Sequence, residues 1–154
     1  MQAWAEGREK TMKVQSNKMA KEKIAVVVSK FNEEITVKMK DKAVQRAKEL
    51  QADVIKIVEV PGCFEIPFAV KKLLEDKNIQ GVVTIGTVIK GGTDHDEVVA
   101  HAVAKKLLDL SAHYNKPVSL GISGPNITWK ESEKRIDEYA TRAVESVVKM
   151  LRMK

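Results

Sequence analysis

GVVTIGTVIKGGTDHDE, residues 81–97, decides the fold. Gly81–Ile89 is an unbroken apolar run without polar alternation, the pattern of a strand covered on both faces and so of a parallel sheet. It stops at Lys90, passes through Gly91-Gly92-Thr93, and changes period. Val98, Val99, Ala102, Val103, Leu107 and Leu110 then recur at helical spacing, which predicts a helix from about Asp94 to Asn115 with those six residues inward.

The same grammar extends in both directions. Upstream, IAVVVSKF (24–31) is a second doubly covered strand. Asn32, Glu33 and Glu34 follow as a cap and an acidic first turn, and Ile35, Met39, Ala43, Ala47 and Leu50 form a helical stripe. VIKIVEV (54–60) is a strand closed by Pro61-Gly62, and PFAVKKLLEDK (67–77) a short helix. Downstream, PVSLGIS (117–123) is a fourth strand. Thr128-x-x-Glu131 is a capping box for one long final helix, with Ile136, Ala140, Ala143, Val144, Val147 and Leu151 inward. Strand and helix alternate throughout, which predicts an α/β three-layer fold: a four-stranded parallel sheet with helices on both faces. Residues 1–20 lack periodicity and read as a flexible basic arm, or as an extra strand through Met12-Lys13-Val14, ahead of a single domain at 21–154.

Composition narrows the function classes. The net charge of +6 is concentrated at the ends: residues 24–148 hold 18 basic and 18 acidic side chains. A nucleic-acid-binding face is therefore not indicated. No apolar run is long enough for a membrane span, and no signal-peptide stretch is present, so a cytoplasmic protein is expected. Cys63 is the only cysteine, which excludes an internal disulfide, and no Cys/His spacing suggests a metal site.

In open parallel sheets ligands bind beyond the carboxyl ends of the strands. Four stretches meet that edge: Phe31-Asn32, Pro61-Gly62-Cys63-Phe64-Glu65, Lys90-Gly91-Gly92-Thr93-Asp94-His95 and Ser123-Gly124-Pro125-Asn126. Each residue has two readings. Gly91-Gly92-Thr93 is a tight turn or a nest of N–H groups for phosphate. His95 is a capping histidine or a proton carrier. Phe31 ends a strand or stacks on a flat ring. Glu65 caps a helix or accepts from hydroxyls. Cys63 is a small buried residue or a nucleophile with His95 as its base. Arg135, in the second turn of the final helix, is by default a solvated cation.

Taken in order, SKFN (29–32), VPGCFEIP (60–67), GTVIKGGTDHDE (86–97), KPVSLGISGP (116–125) and the arginine of ESEKRID (131–137) resemble the 6,7-dimethyl-8-ribityllumazine synthase family, from about Ile24 to the C-terminus. The compact ending RIDEYATRAVES is similar to the short archaeal-type members. The resemblance implies a flavodoxin-like fold and a step of riboflavin biosynthesis. That step condenses 5-amino-6-(D-ribitylamino)uracil with 3,4-dihydroxy-2-butanone 4-phosphate, without cofactor or metal. By the family pattern Phe31 stacks on the pyrimidine; Cys63, Phe64 and Glu65 line the ribityl chain; and Thr87, Val88 and Ile89 hold the uracil edge through their backbone. Gly92 and Thr93 receive phosphate, and His95 moves protons. Leu120 and Arg135 reach the site of a neighbouring subunit, on the ring and the phosphate respectively. Homopentamers are implied, and in many members twelve of them close into a 60-subunit icosahedral shell.

Three departures stand out. Leu120 replaces a frequent aromatic, a lysine- and glycine-containing stretch after the arginine is missing, and the first 18–20 residues match nothing in the short members. Three rivals share the fold: an archaeal-type riboflavin synthase, a flavin-binding module without chemistry, and a cage that has lost catalysis.

Overall fold

The two unbroken apolar runs form the centre of the sheet. In a computed structural model, which describes residues 20–153, Lys23–Ser29 (β1) pairs in parallel with both Asp53–Val60 (β2) and Gly81–Ile89 (β3). Val118–Ile127 (β4) pairs in parallel with β3, giving the order β2-β1-β3-β4. That is the order of a flavodoxin-like sheet. Ile24, Ala25, Val26 and Val27 are fully buried because helices cover both faces of β1.

Glu33–Glu49 (α1) and Ile136–Leu151 (α5) cover one face. There Ile35, Met39, Ala43 and Ala47 meet Ala140, Ala143, Val144 and Val147 over Ile24, Val26 and Val83. Ile66–Leu74 (α2) and His95–Tyr114 (α3) cover the other face through Ile66, Val70, Leu73, Val103, Leu107 and Leu110. The element order, parallel sheet and two helical layers match expectation. The arm at 1–20 and the strand considered at Met12-Lys13-Val14 fall, but for residue 20, outside the described residues.

Several boundaries and faces differ. The short helix starts one residue earlier and ends at Leu74, not 77, and Cys63–Glu65 forms a 3-10 turn before it. Among the described residues β2 lies at the sheet margin, and Ile55 and Ile57 stay about half exposed. On α3 the inward stripe is Asp96, Ala100, Val103, Leu107 and Leu110; Val98 and Ala102, expected inside, point outward. Asn32 precedes α1 as expected but has φ 64° and makes no capping bond with its side chain.

The end of the chain departs most. β4 does not stop at Ser123 but continues to Ile127, because the ladder to β3 resumes at Ile89↔Ile127 after an irregularity. The Thr128 capping bond is present, its Oγ1 accepting the Glu131 N–H at 3.2 Å. The helix it opens, Trp129–Lys134 (α4), ends after six residues. Arg135 has φ −105°, and its N–H bonds to Ser132 O at 3.1 Å, a tightened closing turn. Arg135 therefore sits at a break between α4 and α5, not within one long helix.

Candidate active site

Beyond the carboxyl ends of β1 and β3, where the chain's path through the sheet reverses direction, lies a cavity of about 340 Å³. Each wall comes from a different segment. Phe31 and Asn32 follow β1, and Gly62 through Glu65 follow β2. Thr87, Val88 and Ile89 end β3, and Gly91, Thr93, His95, Asp96 and Val99 form the turn and first helical turns after it. Nine of the residues expected at the site thus line one cavity: Phe31, Cys63, Phe64, Glu65, Thr87, Val88, Ile89, Thr93 and His95. Gly92 is exposed between two lining residues. Leu120 and Arg135 are not part of this wall; both are exposed elsewhere on the chain.

The local reasons are plain. Phe31 and Phe64 are each 71% exposed, leaving two aromatic faces bare at the cavity. Glycines 91 and 92 are not demanded by the fold. Among the described residues a Cβ on either would meet nothing within 4 Å, and neither has a left-handed φ. The turn is left sterically open. The Thr93 hydroxyl accepts the His95 N–H at 3.4 Å. Below the cavity, Thr87, Ser123 and Ser132 close a buried ring of hydroxyls, with O···O distances of 2.7, 2.8 and 3.2 Å.

Cys63 is buried, its Sγ 3.7 Å from Ser29 Oγ and 3.9 Å from Thr87 O. Burial pushes its thiol up from the ordinary range, outweighing those two contacts, and the Glu65 charge adds to the rise. A thiol held protonated is a poor nucleophile, so the geometry favours the reading of Cys63 as a small wall residue. The shift has a thermodynamic sign. Above the ordinary thiol value the unfolded chain releases a proton that the folded chain keeps, so stability falls as pH rises. Chemical denaturation between pH 7 and 10 is expected to show wild type losing stability relative to Cys63→Ala in that window. Parallel curves would show that burial does not hold the proton.

Asp96 and Val99 also line the wall; the sequence singles out neither for the site and puts Val99 in the helix core. Val99 carries no signal that distinguishes a wall from a core. Asp96 carries none either, because its partner lies 30 residues away. Among the described residues no group of three or more His, Cys, Asp or Glu side chains is placed to hold a metal ion, and no helix is long and apolar enough to cross a membrane.

A family model described as 6,7-dimethyl-8-ribityllumazine synthase matches residues 21–154. Three relatives bearing that same name are similar over most of the chain. A protein of Metallosphaera sedula is 55% identical over 130 residues, 84% of this chain and 86% of its own. One of Methanopyrus kandleri is 52% identical over 134 residues, 87% and 94% of the two chains. One of Saccharolobus islandicus is 50% identical over 129 residues, 84% of each.

Proposed function

Since the chain belongs to the 6,7-dimethyl-8-ribityllumazine synthase family, we infer that it condenses 5-amino-6-(D-ribitylamino)uracil with 3,4-dihydroxy-2-butanone 4-phosphate, releasing phosphate and water, as a step of riboflavin biosynthesis. The observation that carries the site assignment is the single cavity gathering Phe31, Cys63, Phe64, Glu65, Thr87, Val88, Ile89, Thr93 and His95 at the sheet edge. Its volume falls in the range of small-molecule sites, roughly 300–1,000 Å³.

The proposed roles follow from the chemistry of each wall. Phe31 offers an exposed ring for stacking on the pyrimidine. The backbone of Thr87, Val88 and Ile89 supplies N–H and C=O groups to the uracil edge. Cys63, Phe64 and Glu65 flank the ribityl chain, the Glu65 carboxylate accepting from its hydroxyls. The open N–H groups around Gly92 and Thr93 suit the phosphate. The amine of one substrate attacks the ketone of the other, and the carbinolamine loses water to give an imine. Those steps move protons near neutral pH, which an imidazole does, so His95 is assigned as proton donor and acceptor. No covalent enzyme intermediate is required. Much of the acceleration comes from holding two substrates in register, worth up to roughly 7–11 kcal/mol in favourable cases.

Phosphate leaves as an anion, and a guanidinium strengthens its nest. Among the described residues no arginine lines the cavity. Arg135 and Leu120 are exposed on the outside of the same chain. We place both at the site of a neighbouring subunit, Arg135 on phosphate and Leu120 as an apolar contact. A closed ring of identical chains meets that arrangement through one repeated heterologous contact, and it covers an apolar side chain that would otherwise face water. The proposed assembly is a cytoplasmic homopentamer, with a 60-subunit shell as its further closure.

The direct test mixes the full-length protein with both substrates and follows lumazine fluorescence and free phosphate together. Equal rates of the two are expected. Riboflavin binding with neither product would instead identify a flavin-binding module. The phosphate assignment has its own test. Because a Cβ at Gly92 meets open space, Gly92→Ala is expected to melt as wild type does while raising KM for the butanone phosphate roughly tenfold. The pyrimidine KM should hardly move. A rise confined to the pyrimidine would relocate the phosphate.

A further inference from the structure

We propose that Asp96 is a positioning residue for His95, fixing the first turn of α3 by tying it to the bulge near the end of β4. The proposal rests on His95 being the proton carrier assigned above. Asp96 stands between His95 and Glu97 at a helix start, where an acidic side chain ordinarily faces water and the helix dipole. Here it is 5% exposed. A buried carboxylate is costly unless it is bonded. Its Oδ2 accepts the backbone N–H of Asn126 at 3.0 Å.

The acceptor's partner is itself firmly held. Between Thr87↔Ser123 and Ile89↔Ile127 β3 advances two residues while β4 advances four, so Gly124, Pro125 and Asn126 arch out of the ladder. The arch is pinned on both sides. Ser123 Oγ donates to Thr87 Oγ1 at 2.7 Å, and the Lys90 N–H donates to Ile127 O at 2.8 Å. Gly124, at φ +107°, passes so close to β3 that a Cβ there would lie 2.3 Å from Val88 O. The Asn126 side chain adds a bond to Glu97 at 3.4 Å. The arch is therefore a rigid anchor, and Asp96 connects the helix turn to it.

His95 needs such an anchor. Its side chain is exposed, and its backbone N–H donates to Thr93 Oγ1. Among the described residues no side chain bonds its imidazole, so the backbone of this turn decides where the ring stands. A displacement of about 1 Å at a reacting group can cost a hundredfold in rate.

Four full-length enzymes test this: Asp96→Ala, Asp96→Asn, His95→Ala and the Asp96→Ala/His95→Ala double variant. Asp96→Ala is expected to lower kcat roughly ten- to hundredfold with KM for both substrates within about twofold. Asp96→Asn keeps an oxygen acceptor for the Asn126 N–H and is expected to recover most of that loss. In the His95→Ala background the Asp96→Ala change should cost no more than about twofold, since a residue acting only through His95 has nothing left to position. Losses that multiply in the double variant would show that Asp96 touches substrate itself, and an Asp96→Asn enzyme as slow as Asp96→Ala would show that charge matters instead of the bond; either overturns the proposal. If Asp96→Ala does not assemble, Asp96→Glu replaces it. That longer arm should carry the same loss, and a full rate would overturn the anchor. His95→Ala at the wild-type rate would fail the underlying reading of His95, a result separable from the others.

Discussion

Replacing His95 by alanine is expected to lower kcat about a hundredfold, at the low end of the range for general acid–base groups, while leaving measurable turnover and nearly unchanged substrate affinity. The residual rate follows from the rest of the cavity. In the proposed arrangement Phe31, the Thr87–Ile89 backbone and the turn at Gly92-Thr93 would still hold the two substrates together, so proximity would survive the loss of the proton carrier. Complete loss of turnover in a variant that still binds substrates would contradict that account. Arg135→Ala should also be impaired, mainly through weaker phosphate binding. The larger result comes from mixing the two. If each site takes His95 from one chain and Arg135 from its neighbour, random mixed rings contain intact sites at about a quarter of the interfaces, and activity should rise well above both parents. Mixed rings, verified by mass spectrometry, that show only the parental average would place Arg135 outside the site.

Gly121→Ala should cost roughly 3 kcal/mol or more of stability, the upper range for overpacking, and lower the melting temperature by about 6–12 °C. Gly121 faces Ile85 in the β3–β4 ladder. A Cβ there would stand 2.2 Å from Thr84 O and 2.8 Å from the Ala143 Cβ. The first obstacle is backbone of the paired strand and the second belongs to α5, so neither yields by a rotamer change. Thr84 is fixed further: its Oγ1 donates to Ser119 O at 2.7 Å and accepts the Gly121 N–H at 3.3 Å. Ser119, two residues away, gives the contrast. Its buried hydroxyl has no partner among the described residues, so Ser119→Ala removes an unsatisfied polar atom at little or no cost. A Gly121→Ala protein melting within 2 °C of wild type would mean that β4 can draw away from β3 and α5 cheaply.

Much of the candidate site was legible because it follows local rules. Apolar runs end at Phe31, Val60 and Ile89, and the residues just beyond a parallel sheet's carboxyl edge converge on one cavity. Phe31, Glu65, Thr93 and His95 could therefore be named before their distances were known. Chemistry alone left each with two readings, and the ordered motifs chose between them.

What the sequence by itself determined was periodicity and punctuation: the doubly buried β1 and β3, the inward stripes of α1 and α5, and the Thr128 cap. These depend on side chains within a few residues of one another, so a window of sequence contains the whole cause. Only the tertiary structure decided the margins. β2 has Ile55 and Ile57 half exposed because, among the described residues, no strand lies beyond it in the order β2-β1-β3-β4. β4 runs on through Pro125 because β3 offers Ile89 as the next partner. Val98 faces outward, and Asp96 faces inward to an N–H 30 residues away. The hydroxyls of Thr87, Ser123 and Ser132 hydrogen-bond to one another across two strands and a helix. In each case the controlling partner is remote in the chain, and its burial or bond exists only once the layers have packed.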